Sequence, residues 1–94
     1  MNQKNKAEKE ITIENELGLH ARPAALFVQL ANKFASDIYV EKENDLVSGK
    51  SIMGIMMLAA GKGATIKIIA EGSDAEEAIR QFEELVRGKF GEDG

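Results

Sequence analysis

Apolar and polar residues alternate with a period of two in three stretches and recur at three- and four-residue spacing in two others. Ile11 and Ile13 alternate with Glu10, Thr12 and Glu14; Ile38 and Val40 alternate with Tyr39 and Glu41; and Ile66, Ile68 and Ala70 face one way in a third run. Alternation of this kind buries one face of a strand and wets the other, so strands are predicted over Glu10 to Glu14, Asp37 to Lys42 and Thr65 to Glu71. Between the first two runs, Ala24, Phe27, Val28, Ala31 and Phe34 fall on one helical face and Gln29, Asn32 and Lys33 on the other, which predicts a helix from about Ala21 to Lys33. Ala75, Ile79, Phe82, Val86 and Phe90 repeat at the same spacing behind Ser73-Asp74-Ala75-Glu76, which has the spacing of a capping box and predicts the last helix.

Two shorter elements complete the chain. The turn residues Glu43-Asn44-Asp45 return the second strand into a short partner around Leu46 and Val47. Ser51 has the chemistry to cap a short apolar helix, Ile52 to Leu58, which Gly61 and Gly63 break. The order is βαββαβα, an α+β class. Because the strands alternate rather than run wholly apolar, a four-stranded antiparallel sheet with three helices on one face and water on the other is predicted.

Ninety-four residues suffice for one modest core. Residues 1–9 are polar and aperiodic and read as a disordered tail, residues 10–90 as the folded domain and residues 91–94 as a flexible end. A net charge of −4 with interleaved Lys and Glu offers no basic stripe for nucleic acid and no polybasic anchor for a membrane. No apolar run approaches a membrane span or a signal peptide, and the absence of cysteine removes disulfide and thiolate chemistry. A cytoplasmic monomer without cofactor is expected.

The candidate chemistry lies in Gly18-Leu19-His20-Ala21-Arg22-Pro23-Ala24. Pro23 falls in the first helical turn, where its missing N–H removes a donor that had no intrahelical partner, and His20 falls at the cap. A group there faces free amides and the positive end of the helix dipole, which favour an anion. A neutral imidazole nitrogen can attack phosphorus, and the phosphoryl group then lands among donors with the Arg22 guanidinium close by. The plainer alternative is a surface cap beside a solvated arginine. Gly49-Lys50-Ser51 fails as a phosphate loop because Asn44 stands where the first glycine belongs, and Gly61-Lys62-Gly63 has Ile66 in place of a third glycine. One histidine with scattered carboxylates supplies no metal ligand set, and nothing marks a serine nucleophile. In Ile52-Met53-Gly54-Ile55-Met56-Met57-Leu58, Ile55 and Leu58 read as core, whereas Ile52 and Met53, next to the cap, read as a docking surface. A phosphate on Ser51 would sit at a helix start, where negative charge is favoured.

These two segments, Gly18 to Ala24 and Lys50 to Met56, resemble the HPr family of phosphocarriers from the bacterial phosphoenolpyruvate-dependent sugar phosphotransferase system, over about Glu10 to Phe90. The resemblance implies an open-faced β-sandwich. It implies that His20 is phosphorylated on Nδ1 by Enzyme I and passes the group to sugar-specific IIA domains, with Arg22 stabilising the phosphate. Ser51 matches the regulatory serine of the HPr kinase/phosphorylase system. Ile52 and Met53, with Met56, Ala25 and Gln29, match the surface that docks partners. Gly49 stands where many relatives carry a larger apolar residue, Met57 where a small polar one is common, and the tail before the first strand is longer. The catabolite repression HPr-like paralogue lacks the active histidine, so His20 argues against that identity. Two other readings remain: a regulatory module in which phosphoserine at Ser51 controls binding to a catabolite regulator, and an interaction domain with an inert His20. A carrier of this kind is a stoichiometric intermediate and not an enzyme.

Overall fold

The computed structural model describes residues 5–92. Its strands are β1 (Lys6–Thr12), β2 (Asp37–Lys42), β3 (Asp45–Ser48) and β4 (Thr65–Glu71), and its helices α1 (Ala21–Ala31), α2 (Ile52–Met57) and α3 (Ala75–Arg87), followed by a 3-10 turn at Lys89–Gly91. The sheet order is β1-β4-β2-β3 and every pairing is antiparallel. This is the open-faced sandwich in the predicted order.

Directly opposed residues of neighbouring strands share a face. Ile11, Ile66, Ile68, Ala70, Ile38 and Val40 turn inward and are buried against the helices. Phe27 of α1 stacks on Phe82 of α3 with ring centroids 4.4 Å apart, and Phe34 approaches Phe82 at 6.2 Å. The outer face is polar, and Lys67 there pairs with Glu8 at 3.4 Å and Glu41 at 3.8 Å.

Several local expectations differ from the structure. The first strand starts at Lys6, so residues 6–9 of the expected tail are strand, while residues 1–4 lie outside the described residues. Its alternation was masked because Lys9, opposite buried Ile68, is an inward position. The Lys9 ammonium reaches the edge of α3 and pairs with Glu83 at 3.4 Å, as long basic side chains do when their stems cover apolar surface. The helices α1 and α2 stop at Ala31 and Met57, short of Lys33 and Leu58. No capping box forms at α3. Its cap residue is Asp74, whose carboxylate turns away to accept from the amides of Ala35 at 2.9 Å and Ser36 at 3.0 Å and from the Ser36 hydroxyl. Phe90 is buried as its spacing predicts, but not on α3: Lys89, Phe90 and Gly91 take φ of 55°, 54° and 75° and curl the chain back over the core. Glu92 is thereby placed against the fold with its carboxylate beside His20, and residues 93–94 lie outside the described residues.

Candidate phosphorylation site

The loop after β1 is tied to the loop before β4. Ile13 donates to the Ala64 carbonyl at 2.8 Å and Leu19 to the Ala60 carbonyl at 2.9 Å. Gly18 permits this approach: its φ is +67°, and a Cβ there would stand 2.3 Å from the Ala60 oxygen. The loop hands the chain to α1 with His20 as the cap, extended at φ −78° and ψ −169°, and with its carbonyl accepting from Ala24 at 2.9 Å. The imidazole makes no cap hydrogen bond, so the amides of Ala21 and Arg22 keep no intrahelical partner.

The ring is held from another direction. Nε2 of His20 lies 3.0 Å from Oε2 of Glu92, and the imidazole is 35% exposed against 17% for the Glu92 side chain. A carboxylate only accepts, so the ring hydrogen is assigned to Nε2 and the lone pair to Nδ1. The second oxygen of Glu92 accepts from Asn15 Nδ2 at 3.0 Å, and the same amide donates to the Gly18 carbonyl at 2.8 Å. His20 opens onto a shallow depression lined also by Leu17, Leu19, Met56, Ala59, Ala60 and Gly61.

Arg22 is exposed on the first turn of α1 and has no ion-pair partner among the described residues, so its guanidinium is available to an incoming anion. Ala25 is half-buried and Gln29 exposed, one turn apart on α1. Ser51 caps α2, its Oγ accepting from the Gly54 amide at 3.0 Å. Beyond it Ile52, Met53, Met56 and Met57 are exposed large apolar residues, as is Leu17 across the depression, while Ile55 and Leu58 are buried as predicted. Gly49 has a packing reason, since a Cβ there would stand 2.5 Å from Cγ2 of Ile38.

The family model described as the PTS HPr component phosphorylation site matches residues 7–88. The chain belongs to the HPr family. It is 48% identical over 85 residues to phosphocarrier protein HPr of Neisseria meningitidis serogroup A, an alignment covering 90% of this chain and 96% of that one. It is 54% identical over 72 residues to the HPr-like protein Crh of Halalkalibacterium halodurans, covering 77% and 86%. A crystal structure of HPr from Thermoanaerobacter tengcongensis superposes with a TM-score of 0.90 at 56% identity, covering 94% and 99%.

Glu92 and Asn15 escaped the reading of this HPr-family sequence. They are 77 residues apart, and neither carries a local motif. The one signal was Asn15 itself, a polar residue at the next inward-alternating position after Ile11 and Ile13 and completely buried.

Proposed function

We propose that the chain is a histidine phosphocarrier of the cytoplasm, taking a phosphoryl group on Nδ1 of His20 from Enzyme I, itself charged by phosphoenolpyruvate, and passing it to IIA domains of sugar permeases. The observation that carries this reading is the His20–Glu92 pair, which leaves the lone pair on the nitrogen that must attack. In the transfer, the Nδ1 lone pair forms the new P–N bond while the bond from phosphorus to the donor breaks and its electrons leave with the donor. The Nε2 hydrogen stays on His20, and the Glu92 carboxylate balances the positive charge the ring has gained. Arg22 and the amides of Ala21 and Arg22 receive the phosphoryl oxygens. The site holds the group only moderately, since tight binding of phosphohistidine would stall onward transfer. Ile52, Met53, Met56, Ala25 and Gln29 form the docking surface, with adaptable methionines suited to several partners in turn.

Incubation with Enzyme I and labelled phosphoenolpyruvate tests this. Acid-labile, base-stable label that is absent from His20→Ala supports the carrier, and no label on the wild type overturns it. The similarity to Crh supports a second, regulatory use of the same fold, in which HPr kinase/phosphorylase modifies Ser51 and the product binds a catabolite regulator. The presence of His20 favours the carrier as the principal role.

A further inference from the structure

We infer that Asn15 is a positioning residue for phosphoryl transfer, clamping the Glu92 carboxylate onto Nε2 of His20 so that Nδ1 keeps its lone pair; this rests on the carrier reading above.

Asn15 is fully buried, and its amide spends one hydrogen bond on the Gly18 carbonyl, 2.8 Å away, and another on Glu92, 3.0 Å away. Its carbonyl oxygen Oδ1 is buried with no partner. An amide retained only to shape the loop after β1 would need the bond to Gly18 alone, and an unpartnered carbonyl is a cost that burial does not repay. What the second donor secures is a carboxylate at the far end of the chain. The Glu92 side chain needs such a hold, because the 3-10 turn before it fixes only the backbone, through the Glu92 amide donating to the Lys89 carbonyl at 2.9 Å, and leaves the carboxylate to be placed by its side-chain partners. Each oxygen of Glu92 then has a separate task. Oε1 is held by Asn15, and Oε2 is left to face the imidazole. A ring nitrogen held by a carboxylate that is itself hydrogen-bonded has a set tautomer and orientation, as with histidines whose far nitrogen is fixed from behind.

The test uses the full chain with 15N-labelled histidine, at a pH where the ring is neutral. Ring nitrogen shifts report the tautomer without any phosphoryl donor, and Enzyme I supplies the rate of phosphoryl acceptance. Asn15→Ala is expected to raise the Nδ1–H share and to slow acceptance on the order of tenfold. Asn15→Asp has the same shape without the donor, and is expected to fail in the same way, which packing alone would not produce. In a Glu92→Ala background, Asn15→Ala is expected to change neither tautomer nor rate further. Equal effects of Asn15→Ala with and without Glu92, or an unchanged tautomer, would overturn the clamp. If neither Asn15 variant folds, the Asn15 carboxamide protons decide the matter: Glu92→Ala should move their shifts and hasten their exchange, and no change overturns the proposal. A tautomer that responds in a chain taking no label overturns the carrier reading and the transfer role with it, while wild-type labelling with an unresponsive tautomer overturns only the role of Asn15.

Discussion

At the scale of single residues, the capping position separates chemistry from stability. The His20 ring makes no cap hydrogen bond and is partly exposed, so His20→Ala should abolish labelling while shifting unfolding by no more than about 1 kcal/mol, as followed by circular dichroism. Arg22 is exposed and lacks an ion-pair partner among the described residues. Stopped transfer assays on Arg22→Ala should show slower acceptance, with a melting temperature near wild type because exposed charges contribute little to folding. Ala59 is a different case. It follows α2 with φ +53°, the left-handed position that glycine favours, and its amide bonds to the Met56 carbonyl at 3.0 Å. Relief of that conformation in Ala59→Gly should stabilise the fold by about 1 kcal/mol, less the entropy glycine adds to the unfolded chain; a lowered denaturant midpoint would contradict this.

At the scale of elements, the start of α3 is fastened to the start of β2 by Asp74. The Ser36 hydroxyl first, and then the amides of Ala35 and Ser36, hold the Asp74 carboxyl below its ordinary value of 3.8. A carboxyl held low in the folded state binds fewer protons there than when unfolded, so its contribution is complete above 3.8 and is lost as pH falls through the folded value. Thermal melts of the wild type should therefore fall off in acid more steeply than those of Asp74→Asn. Within α3, Arg80 and then Gln81 donate to Glu77 and lower its carboxyl to about 2. In Arg80→Ala the Glu77 titration, followed by carbon NMR, should move back up toward 4.5, whereas the stability of this exposed helix face should change little. The 3-10 turn depends on Phe90, 2% exposed at φ 54°. Burial of its ring offsets the backbone cost of the turn. Phe90→Ala should cost about 3 kcal/mol in chemical denaturation and release Glu92 from His20.

For the whole molecule, the prediction concerns Ser51 and the apolar residues that follow it. Phosphate there adds about two negative charges next to exposed Ile52 and Met53, at a helix start whose amides tolerate them. The fold should persist while docking weakens through desolvation and repulsion from an acidic partner. Enzyme I-dependent labelling of His20 should be slower in the phosphoserine form and, in part, in Ser51→Asp, with the deficit shrinking at high salt. Equal rates for all three at both salt concentrations would leave Ser51 a helix cap only.

Local pattern determined most of the architecture, because period-two and helical spacing report burial residue by residue: β2 and β4 stand where alternation places them, α1 opens at Ala21 behind its histidine cap, and Ser51 caps α2. The placement of His20, Arg22 and Ser51 at helix starts was legible for the same reason, since their neighbours announce those starts. Contacts between distant parts of the chain left no such trace. Lys9 hid a strand because its charge is met by Glu83 on a helix formed much later, and Asp74 forsook its own helix for Ser36. Glu92 reaches His20 only because Phe90 finds room in the core and bends the chain into left-handed backbone, and Asn15 meets it only once both loops have docked. Short-range spacing encodes which face of an element is buried; which carboxylate stands behind the imidazole is decided when the two ends of the chain pack together.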